Sequence, residues 1–184
     1  MQVQTARGSC TIREAWPSDL PQLVSLHVAS FNATYPDHEP KPGYDLRERQ
    51  WERLFLERPD NWFCYVAQAN NGIAGFASGH HFSDSTLPYK GQLDKIHLQK
   101  NYQRLGLGSL LVFHVVNRFL QQDISSMILF ADPANPAILF YDGMQGEHLH
   151  NKEGVFNGAY GWKDLQRLAS LLSLRQQRST PEGE

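Results

Sequence analysis

Gln103-Arg104-Leu105-Gly106-Leu107-Gly108 stands between a predicted strand, residues 93–98, and a predicted helix that begins near Gly108. A glycine-bearing turn that opens a helix presents free backbone N–H groups at the positive end of the helix dipole. Such a turn is a ready site for a phosphate or pyrophosphate group. Gly106 and Gly108 let the backbone approach the anion closely, because neither carries a Cβ.

Two common phosphate-binding motifs do not fit this turn. The P-loop is excluded because no Gly-Lys-Ser/Thr closes it, and the Rossmann pattern needs a third glycine where the chain has Leu111. The pattern that fits is Q/R-x-x-G-x-G/A after a strand. It resembles the acetyl-CoA pyrophosphate loop of the GNAT superfamily of N-acyltransferases.

The composition of the chain limits the classes of protein to which it can belong. A chain of 184 residues, 41% of them hydrophobic and 20% charged, suits one compact domain. A net charge of −2 argues against a broad electrostatic grip on nucleic acid or on an anionic membrane. Cys10 and Cys64 predict neither a disulfide framework nor a zinc motif. Because the first residues are polar and no apolar run approaches the ~20 residues of a membrane span, we expect a soluble, cytoplasmic protein.

Hydrophobic periodicity predicts a mixed α/β (α+β) chain in the order β-α-α-β-β-β-α-β-α-β-β-α. The strands are expected at 9–15, 62–68, 73–81, 92–98, 127–131, 147–150 and 155–162, and the helices at about 18–30, 45–57, 108–122, 137–144 and 163–177. A hairpin turn is indicated at Asn70-Asn71-Gly72. We therefore predict a single domain over 1–177 and a disordered tail over 178–184.

Further segments extend the resemblance to the GNAT superfamily over about residues 12–165. They are 75–79 (third strand), 91–103 (fourth strand and its approach to the loop), 135–141 (the N-P-x-A-x-x-F-Y element after the fifth strand) and 160–165 (closing strand). The resemblance implies an acetyl-CoA-dependent N-acetyltransferase. Its central sheet would be mostly antiparallel and splayed near the fourth and fifth strands, with helices on both faces.

The sequence departs from the family pattern in three places. The segment 135–141 is one residue shorter than usual, and Gln145-Gly146 replaces the usual Gly-Phe. Arg104 and Leu105 occupy loop positions often held by Gly and by Arg or Lys. Arg104 would then supply the loop cation from the neighbouring position.

The resemblance also implies roles for individual residues. The backbone of Ile96, His97 and Leu98 would meet the acyl group and the pantetheine arm. Asn135 would contact the pantetheine or stabilise the adjoining turn, and Tyr141 would be the general acid that protonates the leaving thiolate. The pyrophosphate would be held by the loop and helix start, namely Gln103, Arg104, Leu105, Gly106, Leu107, Gly108 and Ser109.

The catalytic residues have simpler alternative interpretations. Tyr141 suits aromatic packing against the fifth strand equally well. For a general base the candidates are Asp94, His97, His27 and Asp84. Alternation along the fourth strand puts Asp94 on one face with Ile96 and Leu98, on the acyl-facing side. We choose Asp94 as the general base. The pattern fits a solvated or paired carboxylate as well. In a further alternative, an ordered water molecule relays the proton and no single residue is the base.

We expect residues 31–44 and 80–89 to determine which acceptor the protein binds. Both segments hold acids and aromatics that suit a cationic amine, and both are also typical of solvated loops. The side chains concerned are Tyr35, Asp37, Glu39, Tyr44, Asp84 and Tyr89. The eight histidines include His148-x-His150 but no third ligand at diagnostic spacing, so we expect no metal.

Three functions remain open at this point. The first is transfer of an acetyl group from acetyl-CoA to an unknown primary amine, by direct attack in a ternary complex. The second is acetylation of protein N-termini or lysines. The third is a CoA-binding sensor or assembly module without transferase activity. The apolar final helix would also suit a homodimer.

Overall fold

The computed structural model describes residues 2–179 of the chain, which contain eight strands and five α-helices. The strands are β1 (Gln2–Thr5), β2 (Gly8–Glu14), β3 (Phe63–Ala69), β4 (Gly72–His81), β5 (Gly91–Leu98), β6 (Met127–Phe130), β7 (Glu147–His150) and β8 (Phe156–Trp162). The helices are α1 (Leu20–Thr34), α2 (Tyr44–Glu57), α3 (Leu107–Leu120), α4 (Ile138–Gly143) and α5 (Leu165–Ser179). The predicted order of elements is confirmed, with one strand added at the start.

The added strand is β1, which forms a hairpin with β2. Gln2 pairs with Thr11, and the turn closes between Thr5 and Gly8. This segment was missed because Val3 is its one apolar residue, which is too few to show an apolar alternation. It is an edge strand that backbone hydrogen bonds hold in place, so it buries little apolar surface.

At the other end, α5 extends to Ser179, two residues beyond the predicted Gln177. The predicted disordered tail, 178–184, is therefore wrong for its first two residues, which continue the helix. Its remainder, 180–184, lies outside the described residues.

The strands form one sheet in the order β1-β2-β3-β4-β5-β6-β8-β7. All neighbouring pairs are antiparallel except β5 and β6, which are parallel and are joined by the α3 crossover. These two strands pair only through Gly91 with Met127 and Gln92 with Ile128, and then separate. The predicted splay of a mostly antiparallel sheet is confirmed.

Phe119, near the end of α3, packs against the closed end of the splay. A Cβ on Gly79 or on Gly91 would lie 2.9 Å from its ring. The two glycines therefore let the end of α3 approach the sheet where β5 and β6 still pair. The beginning of α3 lies at the end where the strands have parted.

Helices cover both faces of the sheet. The face of α3 and α5 encloses one core, in which Leu111, Val115 and Phe119 are fully buried. The face of α1 and α2 encloses a second core around Leu23 and Trp51. Because each fully buried large apolar side chain contributes roughly 1.5–3 kcal/mol, both layers hold β5 firmly between them.

A β-bulge interrupts β5 at Asp94. Ser78 of β4 pairs with Lys95 and Gly79 pairs with Leu93, so Asp94 is the extra residue. The prediction that Asp94 shares a face with Ile96 and Leu98 assumed unbroken alternation, and it is wrong for that reason. Asp94 instead accepts a 3.3 Å hydrogen bond from Ser78 Oγ, on the face of α1 and α2.

Candidate active site

A cavity of about 660 Å³ lies where β5 and β6 separate. Its walls come from both faces of the sheet. Residues of α1 and α2 line one end, and residues of α3, α4 and α5 line the other. The splay thus creates a passage that connects the two helical layers.

The N-terminus of α3 opens into this cavity. Gly106 precedes the helix with φ +81°, and no described side chain caps it. The N–H of Leu110 makes a 3.1 Å bond to the carbonyl of Gly106, so the N–H groups before it lack a helical partner. Gly106, Gly108 and Ser109 line the cavity. These residues therefore fit an anion, since the free N–H groups and the helix dipole both favour negative charge.

Gly108 also allows a close helix contact. A Cβ there would lie 3.3 Å from the ring of Phe140 on α4. Leu105 and Leu107, which the sequence grouped with the loop, point their side chains into the α3 core and do not line the cavity. The other predicted site residues do line it, namely Asp94, Ile96, His97, Leu98, Gln103, Arg104, Gly106, Gly108, Ser109, Asn135 and Tyr141.

Tyr141 lies on α4 with its side chain almost fully enclosed, at 3% exposure. Burial raises the pKa of its phenol well above the usual value, and the nearby Tyr35 and Tyr160 raise it further. Its hydroxyl makes no hydrogen bond with another described residue, whereas the Tyr160 hydroxyl donates to Asp142 over 3.0 Å. The Tyr141 hydroxyl is therefore protonated at neutral pH and free to donate.

Asn135 fixes the turn between β6 and α4. Its Oδ1 accepts a 2.8 Å hydrogen bond from the N–H of Ala137. Its Nδ2 donates to the Tyr35 hydroxyl at the end of α1, over 3.0 Å. The side chain therefore ties the two ends of the cavity together, in agreement with the predicted stabilisation of this turn.

Two histidines lie next to each other on the α1 side of β5, with their ring planes tilted by 47°. The rings of His27 and His97 have centroids 4.8 Å apart. Trp51 Nε1 donates to His27 Nδ1 over 3.2 Å, and His97 Nδ1 lies 2.8 Å from Ser30 Oγ. Burial, reinforced by nearby cations, lowers the pKa of His27 to about 2 and that of His97 to about 4. Both imidazoles are neutral at pH 7 and are weak bases.

The two predicted carboxylates have different positions. Asp94 lines the cavity, where it forms an ion pair with Lys95. Asp84 lies in an exposed turn and accepts hydrogen bonds from Thr86, away from the cavity. Of the candidate bases, Asp84 is therefore too remote to act on a group bound there.

The acceptor segments contribute less than the sequence predicted. Tyr35 lines the cavity, but Asp37, Glu39, Tyr44, Asp84 and Tyr89 do not. Tyr89 is a core residue at 1% exposure, and its hydroxyl lies against Gly161. The expected acidic surroundings for a cationic amine are thus not formed by these side chains.

Sequence reasoning missed Arg47, a cavity residue on α2. One signal could have found it. Arg47 precedes the buried Trp51 by one helical turn, and residues four apart lie on the same face of a helix. An arginine one turn before a buried tryptophan therefore lies at the edge of the apolar face.

Residues 2–179 contain neither a metal-binding cluster nor a helix that could span a membrane. No cluster of three or more His, Cys, Asp or Glu side chains is arranged to hold a metal ion. His148 instead contacts Asp142, with 2.7 Å between Nε2 and Oδ1. Within the same part of the chain, no helix is both long and apolar enough to cross a bilayer.

The mixed α/β fold, with its mostly antiparallel sheet parted between β5 and β6, matches solved structures of acetyltransferases. The chain belongs to the GNAT acetyltransferase family, because the family model "Acetyltransferase (GNAT) family" matches residues 20–146. The predicted superfamily is confirmed.

Similar proteins agree with this assignment. The chain is 30% identical to the uncharacterized N-acetyltransferase YuaI of Bacillus subtilis, over 89% of this chain and 98% of that protein. The fold matches the PaiA N-acetyltransferase of Thermoplasma acidophilum in complex with coenzyme A, with a TM-score of 0.66, 15% identity and coverage of 83% and 97%. It also matches a phosphinothricin acetyltransferase of Sinorhizobium meliloti in complex with AcCoA, with a TM-score of 0.61, 19% identity and coverage of 83% and 85%.

Proposed function

We propose that this protein moves an acetyl group from acetyl-CoA to a primary amine, by direct attack in a ternary complex. One observation carries the proposal. A single cavity, formed by the splay of β5 and β6, joins the uncapped start of α3 to the free hydroxyl of Tyr141. It therefore offers an anion site and a proton donor in one connected space.

Acetyl-CoA would be held from the α3 side. The N–H groups before Leu110 suit its pyrophosphate, and Arg104 lines the same region of the cavity. The backbone of residues 96–98 would meet the acyl group and the pantetheine arm. The relatives from Thermoplasma and Sinorhizobium, whose structures contain coenzyme A and AcCoA, support this choice of donor.

The reaction has a simple balance of bonds. The lone pair of the amine nitrogen forms a bond to the thioester carbonyl carbon, and the C–S bond then breaks. The sulfur leaves with the electron pair and takes a proton from the Tyr141 hydroxyl. The nitrogen loses one proton as the amide forms, and this proton restores the Tyr141 hydroxyl, directly or through water. A backbone N–H of β5 near Ile96 would stabilise the developing oxyanion, a contribution of roughly 3 kcal/mol in comparable sites.

The amine must also lose a proton, because a primary amine with a pKa near ~10 is protonated at neutral pH. Asp94 and Asp132 both line the cavity, and Asp94 belongs to β5, the strand whose backbone near Ile96 would meet the acyl group. His97 also lines the cavity, but its lowered pKa of about 4 makes it a poor acceptor of that proton. We assign the proton to Asp94, directly or through a water molecule.

Replacement of Tyr141 by Phe tests this function. We expect kcat with an amine panel to fall by about 100-fold or more, because general acid catalysis contributes on this scale. The acetyl-CoA affinity from calorimetry should not change. Tyr160→Phe is the matched control, since its ring lies 5.4 Å from that of Tyr141 but its hydroxyl is engaged by Asp142.

Gly106→Asp is the control for donor binding, because a carboxylate side chain at the start of α3 would repel the pyrophosphate. The wild-type protein could bind acetyl-CoA tightly, lose this binding in Gly106→Asp, and still turn over no amine. This combination would contradict the transferase and favour a CoA-binding sensor. Equal turnover of Tyr141→Phe and the wild type would remove Tyr141 from the mechanism.

A further inference from the structure

Arg47 of α2 lies at the acceptor end of the cavity, on the side of the sheet that α1 and α2 cover. Its guanidinium carbon is 5.1 Å from the centre of the Phe31 ring on α1. Its Nη1 donates a 2.9 Å hydrogen bond to Gln50 one turn along the helix. These two contacts hold the guanidinium above the cavity and restrict its orientation.

No carboxylate among residues 2–179 forms an ion pair with Arg47. The Nε atom is buried and has no hydrogen-bond partner in the same part of the chain. A buried donor that lacks a partner is costly, and the cost is larger for a charged group. The guanidinium remains charged at physiological pH, so an anion in the cavity would pair with its charge.

The surrounding groups leave this positive charge uncompensated. Lys95 and Asp94 pair with each other, and their charges cancel. His27 and His97 are neutral at pH 7, as their lowered pKa values of about 2 and about 4 require. Asp132 also lines the cavity, but its carboxylate accepts a hydrogen bond from the N–H of Ala134 and forms no ion pair with Arg47. The positive charge of Arg47 therefore has no salt-bridge partner in the described part of the chain.

We propose that the acceptor is a small amine that also carries a carboxylate, in the manner of a free amino acid, and that Arg47 binds this carboxylate. The inference rests on the acetyl transfer proposed above and specifies its acceptor. The amine would face β5 near Ile96, and the carboxylate would face α2. A planar guanidinium suits this role because it can donate two parallel hydrogen bonds to one carboxylate.

The size of the cavity favours a small acceptor. Its volume of about 660 Å³ must also hold the acyl end of the donor. His27, His97 and Phe31 also line the cavity, and their rings give the acceptor end a largely apolar wall beside Arg47. An amine without a carboxylate would leave the Arg47 charge unpaired.

The test compares each standard amino acid with its α-amide, which keeps the amine and the shape but removes the negative charge. The wild-type protein should prefer the acid over the amide in kcat/KM by about 10- to 100-fold, as a charge-assisted hydrogen bond allows. In Arg47→Gln this ratio should fall to near one, mainly through a higher KM for the acid. Arg47→Lys should keep part of the preference, because it keeps the charge but loses the planar fork.

Arg53→Gln is the matched control. Arg53 also lies on α2, but it is exposed and forms an ion pair with Glu57 over 2.8 Å outside the cavity. Its removal should leave the ratio of acid to amide unchanged. The acetyl-CoA affinity of each variant, measured by calorimetry, shows that the fold and the donor site are intact.

The outcomes separate the two proposals. Turnover of amines with no preference for acids, or a preference that survives in Arg47→Gln, overturns the inference and leaves the acetyl transfer standing. If the protein turns over no amine, calorimetry measures the binding of the same acids and amides to the complex of the protein with CoA. If the protein then binds the acids and Arg47→Gln abolishes this binding, the carboxylate site is supported although the transferase proposal fails. If binding shows no preference for acids, the inference is overturned as well.

Discussion

Tyrosine hydroxyls in this protein occupy three different environments. That of Tyr141 faces the cavity, and that of Tyr160 donates to Asp142 over 3.0 Å. The hydroxyl of Tyr89 is buried and has no hydrogen-bond partner among residues 2–179. A buried hydroxyl without a partner loses its hydration and gains nothing in return, so the three residues should respond differently to the same substitution.

Replacement of Tyr89 by Phe should leave the free energy of unfolding unchanged or raise it by up to about 1 kcal/mol, because the unsatisfied hydroxyl is removed. Tyr160→Phe should lower it by about 1 kcal/mol, because it breaks a hydrogen bond to a carboxylate. Urea denaturation of both variants measures the difference. A Tyr89→Phe variant that loses as much stability as Tyr160→Phe would show that the Tyr89 hydroxyl is satisfied.

Single residues are where the sequence was least informative. The two glycines of the α3 turn were predictable, because their chemistry depends on local order. The position of Tyr89 was not, since its burial depends on Gly161, which lies far along the chain and would bring a Cβ within 2.1 Å of the Tyr89 hydroxyl. The bulge at Asp94 was also hidden, because Asp94 and Lys95 are both polar and one extra residue leaves no trace in such a pattern.

At the scale of elements, β8 is fixed to the end of β6 by a backbone contact. The N–H of Ala131 donates a 2.9 Å bond to the carbonyl of Gly158. Gly158 has φ +89°, and a Cβ there would lie 1.9 Å from the carbonyl oxygen of Ala131. The segment after Ala131 leads into the turn of Asn135 and then to α4, so this contact helps to position Tyr141.

Gly158→Ala should therefore destabilise the protein more than Gly154→Ala. Gly154 has a similar φ of +76°, but a Cβ on this residue would meet no atom within 4 Å. The left-handed conformation costs each variant about 1–2 kcal/mol, and the backbone clash adds to Gly158→Ala alone. Denaturation should show a difference of about 2 kcal/mol or more, and equal stability of the two variants would contradict the contact.

The elements themselves were largely predictable. The aromatic and β-branched residues of β3, the Asn-Asn-Gly turn that follows it and the apolar run of β6 depend on local sequence alone. By contrast, β1 lacks an apolar pattern, because it pairs only at the sheet edge. The position of α2 above the splay, which brings Arg47 to the cavity, depends on packing that no local pattern encodes.

At the scale of the whole molecule, the buried histidines link stability to pH. An unfolded histidine has a pKa near ~6.5, whereas burial lowers the pKa of His27 to about 2 and of His97 to about 4. Below pH ~6.5 the unfolded chain thus binds more protons than the folded one, so stability is full above that pH. It is then lost as the pH falls toward the folded values, by up to ~1.4 kcal/mol per pH unit for each histidine.

The free energy of unfolding should accordingly fall by about 2–4 kcal/mol between pH 7 and pH 5. His97→Gln should reduce this loss, and His150→Gln, a change at an exposed position of β7, should not. Urea denaturation at the two pH values is the measurement. A wild-type stability that stays constant over this range would show that the two imidazoles titrate normally in the folded protein.

The separation of β5 from β6 has one more consequence. Beyond Gln92 and Ile128 the two strands no longer pair, so each presents peptide groups toward the other across a gap inside the sheet. Such a gap is an internal edge, and exposed edges recruit other extended chains. A molecule with amide groups along its length can add there as a strand would. Occupancy of this gap would then protect the protein from association with its own unfolded copies, so that ligand supply and resistance to aggregation become linked.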